Sequence, residues 1–326
     1  MERLSPIVQE AFGIQSRRIK REKGRYVCET ASGPMSIYIT HESPESIHMQ
    51  HFIKECLAAN GFPWTDRFQP AGGGAGQPYV QIGRDTYVMV KHPVKHRETD
   101  FENEGDVMQA FKFLAHFHTA TKNIPAIAIP VSPPVTEIYD RHINELTVAG
   151  KQARRGPRMS DFDVSFIKHA PRYCEIMSES INFIENTNYT RLYAQAVSQN
   201  AICHNALKEE NLLAACETTY ITNFTESTTD IQLTDVAALI RRYAQRSCKS
   251  IPAGRLLEAY NIVNPLPAGA QNILYALLIF PWAFIKIITQ YYSKKRNWTP
   301  IGLISRMEAI LAERDDYEKY VETVIK

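Results

Sequence analysis

The order of hydrophobic and polar positions predicts a strand-rich region up to about Val90, with one helix inside it. Alternating apolar and polar side chains are typical of strands with one buried face, and apolar residues at every third or fourth position are typical of an amphipathic helix. The predicted elements are strands at Gly24–Thr30, Met35–Thr40, Tyr79–Ile82 and Thr86–Val90 and a helix at Ser43–Asn60.

After Lys91 the pattern becomes mostly helical. Helices are predicted at Glu104–Thr121, Ser165–Glu185, Tyr189–Ser198, Thr234–Gln245, Ala253–Asn261 and Pro300–Val324, and short strands at Ala201–Cys203, Leu212–Ala215 and Tyr220–Phe224. This order predicts an α+β fold of two lobes. The first is a small, β-rich lobe over residues 1–91, and the second a larger, mostly helical lobe over residues 92–326, with a hinge at about residues 91–95.

The most apolar segment, Ile273–Ile288, could be mistaken for a membrane span. A spanning helix needs about 20 apolar residues, and this segment contains Pro281 and Lys286. We therefore predict two core helices that are broken near Pro281, and no membrane span.

Composition narrows the class of protein. Lys and Arg total 37 and Asp and Glu 35, so the net charge is +2, which does not suggest a nucleic-acid partner.

The six cysteines form no C-x-x-C pair, and we expect free thiols. The first residues lack the pattern of a signal peptide, so synthesis in the cytoplasm is expected. A basic cluster at Lys151, Arg154, Arg155 and Arg158 is either a solvated face or a partner-binding patch.

The run Gly72–Gly76 invites comparison with a phosphate-binding loop. No Gly-Lys-Ser/Thr follows it, and the next predicted element is a strand, whereas a phosphate cradle needs backbone amides at a helix N-terminus. A flexible hairpin tip is the better interpretation.

The segment His204–Asn211 resembles the catalytic loop of kinases, H-R-D-L-x-x-x-N, because His204, Leu207, Lys208 and Asn211 fall at matching positions. In that loop the Asp orients the attacking hydroxyl and the Asn binds magnesium. Here Ala206 stands where the Asp is expected. An unrelated surface loop remains the alternative interpretation.

Two further kinase groups are replaced. The best match to the metal-binding Asp-Phe-Gly motif is Asn223-Phe224-Thr225, where a neutral amide replaces the carboxylate. The phosphate-binding lysine of the first lobe should fall in Met35–Thr40, which contains none, and Lys91 does not fill that position. Glu209 or Glu210 could substitute as a metal ligand with Asn211 and Asn223, although the solvent side of the loop is the expected place for both glutamates.

Most of the chain, and most strongly its C-terminal part, resembles the CotS-type kinase-like spore-coat proteins, and within them the YutH-like branch, of the aminoglycoside and choline kinase superfamily. The likeness lies in Leu114–Thr119 (LAHFHT), Leu233–Arg242 (LTDVAALIRR), Phe280–Phe284 (FPWAF) and Gln290–Tyr292 (QYY), followed by Lys294, Lys295 and Trp298. The resemblance implies a kinase-like fold, a place in the spore coat and other coat proteins as partners.

Two functional hypotheses follow. The first is a catalytically inactive pseudokinase with a structural or assembly role in the coat, with no cofactor and no confidently assigned catalytic or metal residue. The second is an active phosphotransferase with an alcohol group as acceptor, which would use ATP and Mg²⁺ through Asn211 and Asn223.

Overall fold

The alternating residues near the N-terminus form a five-stranded antiparallel sheet. The structure is a computed structural model that describes residues 4–22, 24–31, 33–72, 76–93, 97–122, 124–125, 129–155, 158–293 and 300–325. In spatial order the strands are β1 (Arg18–Glu22), β2 (Arg25–Thr30), β3 (Gly33–Thr40), β5 (Thr86–Lys91) and β4 (Val80–Gly83). Pattern reasoning missed β1 because its sequence, RIKRE, is almost wholly exposed and has no apolar alternation.

One helix covers each face of this sheet. Helix α1 (Leu4–Phe12), which was not predicted, buries its apolar side chains against Ile37 and Val88. Helix α2 (Pro44–Ala59) starts at the N-cap Ser43 and covers the opposite face, where Tyr87 and Met89 lie. Successive strand residues point to opposite faces, so Lys91 follows Tyr87 and Met89 on the α2 face.

The remaining elements agree with an α+β, kinase-like order. They are β6 (Arg97–Glu98), α3 (Glu104–Ala120), α4 (Val135–Ala153), α5 (Asp161–Glu185), α6 (Tyr189–Ser198), β7 (Ile202–Cys203), β8 (Leu212–Ala215), β9 (Thr218–Ile221), β10 (Thr228–Thr229), α7 (Leu233–Arg246), α8 (Ala253–Asn261), α9 (Ala270–Ile279), α10 (Trp282–Tyr292) and α11 (Pro300–Glu322). The predicted strand at Tyr220–Phe224 is shifted, because Asn223 adopts a left-handed conformation (φ 62°) that ends β9 before it.

Contacts divide the chain into two compact units. The first comprises Met1–Pro130 and His204–Thr228, and the second comprises Val131–Cys203 and Thr229–Lys326. The kinase-like loop therefore belongs to the same unit as the five-stranded sheet. The predicted lobe boundary near residue 91 stays a prediction, because these units follow contact density.

The apolar segment is broken at Phe280–Pro281, as predicted. Residues Ala270–Tyr292 are long and apolar enough to cross a membrane by composition, but about two-thirds (67%) of the most apolar window is buried inside the structure. The chain turns at Phe280, where ψ is 128°. Two helices of 10 and 11 residues result, each about 15 Å long and so half the thickness of a bilayer core.

Side chains from three neighbouring helices satisfy the end of α9. The last four carbonyl oxygens of a helix have no partner within the helix and need another donor when they are buried. Each of those in α9 accepts a side-chain hydrogen bond. Ser180 donates to the carbonyl of Ala276 (2.8 Å), Arg241 to that of Leu277 (2.9 Å), Tyr317 to that of Leu278 (3.0 Å) and Arg314 to that of Ile279 (3.0 Å).

Replacing Arg314 should weaken the second unit. Its guanidinium is almost buried, and Arg314→Met would leave the Ile279 carbonyl unsatisfied. We expect a loss of about 2 kcal/mol in the free energy of unfolding, measured by urea denaturation. Arg191→Met, at an exposed position on α6, is the control and should change it by less than about 0.5 kcal/mol. Equal effects of the two substitutions would contradict this role of Arg314.

Candidate functional site

His204 fixes the kinase-like loop from inside the first unit. Its ring is fully buried and packs edge-on against Phe224, with ring centroids 4.9 Å apart. Nδ1 accepts a hydrogen bond from the backbone N–H of Ala206 (3.2 Å), so the ring proton is on Nε2, which donates to the carbonyl of Thr222 (2.9 Å). The ring thus joins the start of the loop to the segment after β9.

The position of the catalytic carboxylate is occupied by the buried methyl group of Ala206. The backbone carbonyl of Ala206 accepts a hydrogen bond from Nδ2 of Asn211 (2.8 Å). Asn211 is itself 5% exposed. The His-to-Asn skeleton of the loop is therefore present, but the side chain at its centre can neither accept a proton nor orient a hydroxyl.

The two asparagines at the predicted metal position meet in space. Nδ2 of Asn223 makes a long hydrogen bond to Oδ1 of Asn211 (3.5 Å), and Oδ1 of Asn223 accepts one from the hydroxyl of Thr225 (2.9 Å). That hydroxyl also lies 3.4 Å from a carboxylate oxygen of Glu42, in the loop between β3 and α2. Asn211 and Asn223 therefore lie within hydrogen-bond distance of each other.

This arrangement does not fit a magnesium site. Kinases hold magnesium with the carboxylate of the metal motif as well as with the loop Asn. Here Asn223 replaces the carboxylate, and both amide oxygens accept hydrogen bonds from protein groups. Across the parts of the chain that the structure describes, no group of three or more His, Cys, Asp or Glu side chains could hold a metal.

The loop's charged residues point outward. Lys208 and Glu210 are exposed and form an ion pair with each other (3.4 Å). Glu210 thus lies on the solvent side, as expected, and Glu209 is only half-buried.

The central residues of the run Gly72–Gly76, numbers 73–75, lie outside the described residues.

A buried ion triad lies on the α2 face of the sheet. Asp66, in the connection after α2, places one carboxylate oxygen 2.7 Å from Nζ of Lys54 and the other 2.9 Å from Nζ of Lys91. The side chain of Lys54 is fully buried, and that of Lys91 is 10% exposed. Lys54 also lies over the rings of Phe68 (4.4 Å) and Phe224 (5.6 Å), contacts that favour a cation.

Lys91 supplies an ammonium group close to where kinases carry their lysine. Ser36 of β3 is the direct strand partner of Lys91, and Nζ of Lys91 lies 5.0 Å from the ring of Tyr38. That Lys91 does not fill the lysine position expected in Met35–Thr40 stays a prediction. Lys91 lies one strand sideways from that position, on the same face of the sheet as Tyr38. Its acidic partner is Asp66, whereas kinases use a glutamate on the helix.

The three charges shift each other's pKa. Burial lowers the pKa of Lys54 to about 7, against the opposing effect of Asp66. Burial alone would raise the pKa of Asp66, but the two ammonium groups lower it to about 2. Burial also disfavours the charged form of Lys91, yet Asp66 outweighs this and raises the pKa of Lys91. Of the two lysines, Lys54 is therefore the one that loses its proton at the lower pH.

Sequence reasoning missed this triad because its members lie far apart along the chain. One signal was available. Ile47, Gln50, Lys54 and Leu57 recur at helical spacing and are all buried in α2, so Lys54 occupies a core-facing position of an amphipathic helix. A lysine there needs a buried acidic partner.

Comparison with known proteins identifies the group to which the fold belongs. A family model described as "Spore coat putative kinase YutH" matches residues 5–324. The chain belongs to this family. The predicted resemblance is thereby confirmed, although Lys294, Lys295 and Trp298 of its C-terminal signature lie outside the described residues. No match was found among curated proteins.

Solved structures that share this fold include two phosphotransferases and a choline/ethanolamine kinase family protein. An aminoglycoside phosphotransferase from Alicyclobacillus acidocaldarius is 17% identical, with a TM-score of 0.82 over 95% of this chain and 91% of that one. A spectinomycin phosphotransferase in complex with AMP is 13% identical, with a TM-score of 0.64 and coverages of 99% and 98%. A choline/ethanolamine kinase family protein from Mesorhizobium loti is 13% identical, with a TM-score of 0.52 and coverages of 99% and 98%. At these identities the likeness shows the fold alone.

The lowered pKa of Lys54 should appear in the pH dependence of stability. In the unfolded chain a lysine has a pKa near 10.4, and in the folded chain Lys54 has a pKa of about 7. Between these values the unfolded chain binds more protons, so stability rises with pH. We expect the free energy of unfolding of the wild type, relative to Lys54→Met, to rise by about 1 kcal/mol per pH unit from pH 7 to 9.

Denaturant titrations at three pH values measure this difference. Lys112→Met is the control, because Lys112 is exposed on α3 and its replacement should leave the pH slope unchanged. Parallel pH profiles for the wild type and Lys54→Met would show that Lys54 keeps an ordinary pKa.

Proposed function

We propose that the protein is a catalytically inactive kinase-like protein of the spore coat, with a structural or assembly role among other coat proteins. One observation carries this proposal. Uncharged side chains, Ala206 and Asn223, stand where kinases carry the base and the metal-binding carboxylate, and the amide of Asn223 is hydrogen-bonded to that of Asn211. No nucleotide or metal is part of the proposed role.

The physical reason lies in how phosphoryl transfer is catalysed. The enzyme contributes positioning and the neutralisation of developing negative charge, with little covalent chemistry of its own. A site that lacks the base and the metal-binding carboxylate loses both contributions. The retained parts, His204 and Phe224, hold the loop in place and contact no phosphate through charge.

A second candidate function is an active phosphotransferase, and one observation favours it. Lys91 with Asp66 presents an ion pair on the same sheet face as Tyr38, so a cation for phosphate remains available. The carboxylate of Glu42, near Thr225, would have to replace the missing metal ligand. We prefer the first proposal because the ammonium group of Lys91 cannot bind magnesium, the ion that neutralises the charge of the phosphates.

Magnesium and ATP together separate the two functions. A ligand that binds only the folded state raises the melting temperature, by several degrees at saturating concentration. We expect no shift and no phosphate release from the wild type. A shift with phosphate release that is lost in Lys91→Met and retained in Lys112→Met would establish the second function and overturn the first.

Restoring the charges tests the reason for inactivity. We expect Ala206→Asp combined with Asn223→Asp to bind ATP in a magnesium-dependent manner, because carboxylates return to both positions. Calorimetric titration measures the binding. Ala206→Asn, which adds similar bulk without charge, is the matched control and should not bind. If the double variant also fails to bind, the absent charge is not what disables the site.

A further inference from the structure

Two faces of opposite charge lie on separate helices of the second unit. Val148, Lys151, Gln152 and Arg155 recur at helical spacing around the end of α4, and all four are exposed. We call them the basic face. Ala309, Ala312, Glu313 and Asp316 recur at the same spacing on α11 and are also exposed. We call them the acidic face.

The charges of the basic face are not neutralised within the described chain. Lys151 and Arg155, like their neighbours Arg154 and Arg158, form no ion pair among the described residues. Arg154 donates to the carbonyl of Gly150 in its own helix (3.1 Å). The nearest acidic residue along the chain that is exposed is Asp161, at the start of α5. Val148 is 53% exposed beside these cations, which adds apolar surface to the face.

The acidic face is similarly open. Glu313 forms no ion pair among the described residues. Asp316 lies 4.0 Å from Lys319, but both side chains are 77% exposed, so this pair is weak. Ala309 and Ala312 are small, which allows a second helix to approach the two carboxylates closely.

A single copy cannot pair its own two faces. Arg172 of α5 binds Asp315 of α11 at 2.7 Å, which fixes the position of the acidic face along α5. Arg172 is about 16 Å along the helix from Asp161, where the basic turn ends, at 1.5 Å per residue. That separation is longer than a pair of charged side chains spans, so the two faces do not pair within one copy, whereas a second copy offers each face its complement.

We propose that the basic face of one copy docks on the acidic face of a second copy, so that the chain assembles head to tail. Residues three or four apart on a helix are about 5–6 Å apart, so Lys151 and Arg155 match the spacing of Glu313 and Asp316. Because the two faces differ, the contact is heterologous and continues from copy to copy unless it closes into a ring. This inference rests on the proposed assembly role and specifies how the assembly forms.

A second copy fits these faces better than a lipid surface does. Helices that bind membrane surfaces usually present Trp, Phe or Leu beside their basic residues, and the basic face has none of these. Arg is enriched at protein interfaces, whereas Lys is depleted there, and three of the four cations at and beside the basic face are Arg. The acidic face of the same chain supplies the complementary charge.

Sedimentation velocity of the full chain with charge-reversed faces tests the proposal. The average mass of the wild type should rise with protein concentration at about 0.05 M salt and fall towards the monomer at about 0.5 M, where charges are screened. Lys151→Glu with Arg155→Glu, and separately Glu313→Lys with Asp316→Lys, should each weaken association at least ~10-fold. An equimolar mixture of the two variants should associate again, because their reversed faces complement each other.

Controls keep the outcome unambiguous. Arg191→Glu with Arg255→Glu changes the net charge by the same amount as the basic-face variant, at exposed positions on α6 and α8, and it should associate like the wild type. Thermal melts establish that each variant is folded. The proposal would be overturned if the wild type stays monomeric at low salt or if the two variants do not associate when mixed. It would also be overturned if a monomeric wild type binds to anionic vesicles. These outcomes do not depend on magnesium or ATP, so they leave the proposed lack of catalysis standing.

Discussion

The carboxylate of Asp66 lies between two buried ammonium groups, and the first unit is organised around it. Lys54 reaches it from the helix and Lys91 from the sheet, so one acidic group joins the helix, the following connection and β5. Replacing Asp66 would leave both ammonium groups without their acidic partner, and the loss of one partner from a buried ion pair usually costs about 3–5 kcal/mol. Phe68 and Phe224 pack against the same ammonium group of Lys54, which connects the triad to the kinase-like loop.

The groups that are kept and the groups that are lost differ in kind. His204, Leu207 and Phe224 are buried and hold the loop by hydrogen bonds and packing. Ala206 and Asn223 replace groups whose only task in a kinase is to carry charge towards a hydroxyl or a metal. The positive charge that remains is compensated inside the protein by Asp66. The kinase-like loop is thus held by its own hydrogen bonds and packing, without the charged groups that kinases carry there.

The residues that sequence analysis found were those linked by short spacing. His204 and Asn211 fall in one loop, and Asn223 follows at the end of the next hairpin, so a linear pattern predicts that they meet. The break at Pro281 was predictable because proline cannot continue a helix. The triad was not, since Lys54, Asp66 and Lys91 meet only once the helix has packed on the sheet. Strand β1 was missed because its side chains are exposed and show no apolar period.

The effect of magnesium on the affinity for ATP tests the central claim most directly. In kinase-type sites, the metal bridges the phosphates and the carboxylates that bind it. Calorimetric titration of the wild type with ATP, in magnesium and again in EDTA, separates the metal's contribution from any binding to Lys91 alone. We expect the affinity for ATP, or the absence of ATP binding, to be the same in magnesium and in EDTA. An affinity at least ~10-fold higher in magnesium would show that Asn211 and Asn223 hold the metal after all and would contradict this expectation.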